Sequence, residues 1–221
     1  MRRRVVEPTS NQEQLTVPRR LQAEVEVVIV ADSVVEHADQ IVKRAWQDLG
    51  PEHRALLESI GATQWHVTNK LLGAAASALL ISAGSPALSA SQTRAFDAAI
   101  GVWVPELRVT LINAEHRKFD GLDEPSLEAA VADVAWHEWG HALSVHRTEN
   151  DDISKGAQLL TIAPRGIAEN IRSGGYRRRE ITHELVANLF ALLMARRRAG
   201  GDGKPEWLED ELWNLMKKTT G

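Results

Sequence analysis

Apolar positions recur between residues 34 and 49 at helical spacing, with Val34, Ala38, Ile41, Val42, Ala45 and Leu49 falling on one stripe. Asp32 or Ser33 supplies an N-cap, and Gly50-Pro51 ends the run. Ahead of this stripe, Glu24 to Val30 (EVEVVIV) is dense in β-branched side chains, which predicts a strand. A helix continuous with the next segment is the rival reading. Residues 1–20 are rich in Arg, Glu, Gln, Pro and Ser and lack periodicity, so they are expected to form a poorly ordered N-terminal arm. A second helix is predicted from Glu52 to Ile60, stopped by Gly61.

From Thr63 to Ile112 the pattern turns β-like. Short apolar runs predict strands at Trp65 to Thr68, Ala78 to Ser82, Ala99 to Val104 and Leu107 to Ile112, with a turn at Val104-Pro105-Glu106. Helical spacing returns after Asp123-Glu124-Pro125, which open a helix running to about His146. Leu127, Ala130, Val131, Val134 and Ala135 form its apolar face. Residues 147–179 read as a long polar connection with one short helix around Ile167 to Ile171; a connection of that length is unusual unless it lines a site. A further helix from about Glu180 to Arg198 is broken by Gly200, Gly201 and Gly203. Pro205 then starts a last amphipathic helix carrying Trp207, Leu208, Leu212, Leu215 and Met216. With no internal repeat, residues 21–221 are expected to form a single α+β domain.

Composition narrows the chemistry. The 221 residues contain no cysteine, which excludes disulfides and thiolate metal sites, so any metal must be held by His, Asp or Glu. A net charge of −4 gives no pointer to nucleic acid or to an anionic membrane as partner. Met1 to Arg4 is basic like a signal n-region, but Glu7 to Gln14 is polar where an apolar h-region would follow. No stretch is long enough to span a bilayer. The expectation is a soluble, cytoplasmic protein.

One motif stands out. Trp136-His137-Glu138-Trp139-Gly140-His141 carries the HExxH spacing inside a predicted helix. Residues i and i+4 share a helix face, so His137 and His141 can offer ring nitrogens to one zinc ion. Glu138 is rotated by roughly 100°, which keeps it out of the ligand set yet within reach of an activated water as general base. With 8 histidines in the chain, chance would place such a motif in roughly two such chains per hundred. A catalytic zinc usually takes a third protein ligand. The metzincin extension needs glycine at position 144 and histidine at position 147, and here stand Ser144 and Arg147. A glutamate from a separate helix is the alternative, and Glu184 is the best candidate. Ala187 and Ala191 share its side and would let two helices approach closely. His183 and Glu180 are competitors for the same place.

HEWGH followed by an ExxA helix, Glu184 to Ala187 and then Phe190, resembles the gluzincin branch of the zincin metallopeptidases. It is similar to the minigluzincins and to the catalytic domain of anthrax lethal factor. The likeness covers roughly residues 95–198. It implies a zincin-like α+β fold, with a small twisted mixed sheet beside an active-site helix and further helices C-terminal to it. It also implies Glu184 as third ligand. Asn188 falls where thermolysin-like members carry an aspartate that steadies a zinc histidine; an amide oxygen could serve instead. Tyr176 lies where lethal-factor-like members place a tyrosine that stabilises the oxyanion.

The function expected is zinc-dependent hydrolysis of peptide bonds in a peptide or protein substrate. The alternative is a zincin-fold binding or regulatory protein without catalysis, against which Glu138 argues, since a merely structural metal site has no use for it. Leu107 to Ile112 is expected to form the sheet edge along which an extended substrate lies. Trp136 and Trp139 are expected in the core or the pocket wall. The basic runs Arg177-Arg178-Arg179 and Arg196-Arg197-Arg198 are expected on a solvated surface.

Overall fold

Of the predicted stripe, Ala38, Ile41, Val42, Ala45 and Leu49 are buried whereas Val34 at its head is exposed, and all but Leu49 lies on helix α1 (Arg19–Asp48). The helix is longer than expected. It runs through Glu24 to Val30, so the helical reading of EVEVVIV holds and the strand reading fails, and it takes in Arg19 and Arg20 of the expected arm. No Gly or Pro interrupts residues 19–48. A helix once nucleated gains a hydrogen bond with each added residue, which outweighs the modest β preference of the valines. The structure, a computed structural model, describes residues 19–147, Glu169 and 178–201. The expected short helix around Ile167 to Ile171, apart from Glu169, and the last helix from Pro205 lie outside the described residues, as does Tyr176.

Helix α2 (Pro51–Ser59) starts with Pro51 in the first turn, where its missing N–H is no loss. Strand β1 (Gln64–Thr68) follows as expected. The predicted strand at Ala78 to Ser82 is instead the end of helix α3 (Leu72–Ser82). Read alone, ALLIS fits either element. The alanines before it have high helix propensity and carry the segment. Gly73 lets α3 meet the next helix, α4 (Ala90–Asp97): its N–H donates to Asp97 Oδ1 at 2.8 Å, and a β-carbon there would stand 2.6 Å from the Thr93 carbonyl oxygen. Helix α4 was not foreseen, although Ser89 and Gln92 spell its capping box.

The chain then forms strands β2 (Gly101–Val104) and β3 (Val109–Asn113), joined by a four-residue link, 105–108. The sheet order is β1-β3-β2, with β1 parallel and β2 antiparallel to β3. The expectation that Leu107 to Ile112 is the sheet edge is therefore corrected. Strand β3 is the middle strand, buried at every position, and β1 and β2 are the two edges. Successive side chains point to opposite faces. Trp103 and Ile112 join a core with α1, α2 and two further helices, α5 (Glu124–Arg147) and α6 (Arg178–Arg198). Val104, Val109 and Leu111 pack with Leu72, Ala76 and Leu80 of α3 on the other face. This is a mixed α+β architecture, with six helices and a small mixed sheet among the described residues. None of the helices is long and apolar enough to cross a membrane.

Candidate metal centre

Helix α5 begins at an Asp123 cap, whose Oδ1 accepts the Ser126 N–H at 3.0 Å. Two tryptophans of the motif fix its rotation. Trp136 donates Nε1–H to the Ala45 carbonyl of α1 at 3.1 Å and is 2% exposed. Trp139 is fully buried and meets Trp46 edge-on, with ring centroids 5.2 Å apart. Both are core residues, and neither lines the cleft. With that face turned inward, 3.6 residues per turn bring His137, Glu138 and His141 to the opposite side, toward β2 and α6. They line a cleft of about 610 Å³ together with Gly101, Trp103 and Glu184.

Helix α6 packs along α5 closely enough to share a site. A β-carbon on Gly140 would stand 2.7 Å from Ala187 Cα and 3.1 Å from Phe190 Cβ. Ala187 is fully buried and Ala191 nearly so, as their expected role requires. Glu184 Oε1 lies 3.3 Å from His141 Nε2, and Glu184 Oε2 lies 3.7 Å from His137 Nε2. The two imidazole rings stand nearly perpendicular with centroids 4.7 Å apart. One ligand atom from each of His137, His141 and Glu184 lies within 4.8 Å of the others, and this group could hold a metal ion. Two imidazoles and a carboxylate form a donor set that suits zinc. Tyr176 lies outside the described residues.

The electrostatics fit a cation site. Burial, joined by the charge of His141, holds His137 down to about 4, so it is the neutral base a metal requires. For His141, burial acts downward but is outweighed by the Glu184 hydrogen bond and by the charges of Glu138 and Glu184, so it is raised. In Glu184, burial acts upward and is outweighed by the bond to His141 and the charges of the histidines, so it is lowered. Glu138 is only 6% exposed. Burial pushes it up to about 7; His141 opposes the rise, Glu184 adds to it, and the nearby main-chain N–H of Trp103 opposes it.

Of the competitors of Glu184, His183 is the one whose side chain the structure describes. His183 turns its Nδ1 to Ser144 Oγ, tying α6 to α5 beside the site, and is not one of the clustered ligands. The backbone of Glu180 lies in the first turn of α6. Asn188 lines the cleft, but its Nδ2 donates to the Glu184 carbonyl one turn back at 2.7 Å, and among the described residues it bonds to neither zinc-type histidine. Its expected steadying role is not seen. The Arg196-Arg197-Arg198 run is not simply solvated. Arg197 pairs with Glu52 at 2.8 Å, and Arg198 meets Glu128 as well as Asp48.

One residue at the site went unread in the sequence. Gly101 sits on β2 over Glu138, and a β-carbon there would stand 2.9 Å from Glu138 Cγ. A glycine inside a strand is a known mark of close approach, but the sequence does not say what approaches. No family model, curated protein or solved structure matches this chain.

Proposed function

We propose that this protein is a zinc-dependent metallopeptidase of the gluzincin type. The observation that carries the reading is the convergence of His137, His141 and Glu184 from two helices, beside the buried carboxylate of Glu138, in one cleft. A structural metal site would have no need of a fourth, non-ligating acid at that place. Zinc, when bound, supplies a Lewis acid that activates water and polarises a peptide carbonyl, and its charge favours the carboxylate form of Glu138.

His137, His141 and Glu184 would hold the ion. Glu138 accepts a proton from the attacking water and passes it to the leaving amine, the work of a general base and then a general acid. Strand β2 forms the cleft wall, and among the described residues no strand pairs with its outer side. An extended peptide lying along it would gain main-chain hydrogen bonds and present its carbonyl to the site.

The test is hydrolysis of a diverse peptide library by protein of measured metal content. Cleavage that tracks zinc occupancy supports the reading. A fully zinc-loaded protein that cleaves no member of the library defeats it.

A further inference from the structure

Only two residues of β2 turn their main-chain groups away from β3. The Ile100 carbonyl accepts the Asn113 N–H at 2.8 Å, and bonded and open pairs alternate along an antiparallel ladder. From the register, Val102 and Val104 therefore bond to β3, whereas Gly101 and Trp103 face the open edge. The Trp103 N–H faces that edge, on the side of the Glu138 carboxylate, whose charged form it favours.

Strand and helix touch at Gly101. A β-carbon on Gly101 would stand 2.6 Å from Val134 Cγ1, 2.9 Å from Glu138 Cγ and 3.1 Å from Glu138 Oε1. Gly101 is not among the glycines with positive φ, so its backbone conformation is open to any residue. What the glycine provides is space. We infer that Gly101 is a positioning residue for Glu138: its missing side chain lets β2 settle onto α5, so that the strand packs against the Glu138 side chain and holds its carboxylate beside the metal ligands. The inference rests on the metallopeptidase reading and adds the device that aims its base. Contact along the Glu138 side chain limits the direction of the carboxylate, whose roughly four lone-pair positions stay able to accept from water. Along that edge, the N–H and carbonyl of Gly101 face the side on which an extended ligand would lie.

The experiment uses zinc-loaded protein and acetohydroxamic acid, a zinc chelator that sheds its hydroxyl proton on binding and so depends on a well-placed neighbouring carboxylate. Gly101→Ala is measured alone and in the Glu138→Gln background. Gly101→Ala/Val134→Ala removes the clash with Val134 and keeps the one with Glu138, so the question can still be answered if the single variant folds poorly. The expected result is unchanged zinc content with acetohydroxamate affinity lowered about tenfold, the scale of one charge-assisted hydrogen bond, and no further loss when Gly101→Ala is added to Glu138→Gln. Where a peptide substrate is in hand, kcat falls and KM holds. An unchanged affinity, or an equal loss in both backgrounds, overturns the inference while the peptidase reading stands. A zinc-loaded wild-type protein that does not bind acetohydroxamate overturns both.

Discussion

Gly140 and Ala187 are in van der Waals contact across the α5–α6 interface, with no room at Gly140 for even one more carbon: it would stand 2.7 Å from Ala187 Cα. The glycine is part of the metal motif and the alanine is one turn from Glu184, so the contact sets the distance between the ligands of the two helices. Gly140→Ala must push the helices apart. It is predicted to destabilise the fold by about 1–3 kcal/mol, the usual cost of overpacking, and to weaken zinc binding although no ligand is touched. Urea unfolding and a competitive zinc titration read the two effects; full zinc affinity in a destabilised variant would separate the interface from the site.

Metal loss follows the ligand set. Alanine at His137, His141 or Glu184 should each abolish tight zinc binding, whereas His183→Ala should retain it. Chelation should lower the melting temperature of the wild type and leave the His137→Ala/His141→Ala double mutant unmoved, because only a ligand bound to the native state stabilises it. Zinc held at full strength without Glu184 would remove the third ligand from the account.

The HExxH motif and its Glu184 partner were legible because helix geometry turns sequence spacing into spatial spacing. His137 and His141 had to share a face, and small residues around Glu184 had to mark a close helix contact. The length of α1 and the identity of α3 were less legible, since EVEVVIV and ALLIS carry no period that separates helix from strand, and their neighbours decide. The sheet order was hidden for a different reason. The register of β2 and β3 depends on partners distant in sequence, and a hairpin alone does not say which of its strands lies inside. Gly101 was hidden likewise, because its meaning lies in Glu138, 37 residues on.

Buried His53 should make the fold acid-sensitive independently of the metal. Burial first, and then the charge of Arg197, lower it from 6.5, while Glu52 opposes the shift. The unfolded chain therefore binds the proton more readily than the native state. The stability is fully present above about pH 6.5 and is lost as pH falls from there through the lowered folded value. His53→Gln should flatten this part of the stability profile between about pH 7 and 5, as read by urea unfolding of metal-free protein. A slope as steep in the variant as in the wild type would assign the sensitivity to other groups.

The correction of the sheet order moves the expected path of substrate. A peptide analogue carrying a photoreactive group and bound to zinc-loaded protein should label β2, residues 101–104, and the neighbouring cleft wall at Ala98 and Ala99. Peptide mapping of the adduct reads the position. Label confined to β1 or to α3 would place the substrate on the wrong side of the sheet.

The central claim is that Glu138 works as a base beside a metal it does not hold, and Glu138→Gln tests it most directly. The substitution keeps the size of the side chain and removes its proton affinity. Against a verified peptide substrate, the variant should keep one zinc per chain and its affinity for substrate, and lose about 10²–10⁴ in kcat, the usual worth of general acid–base help. Full zinc occupancy together with undiminished turnover in Glu138→Gln would contradict the account.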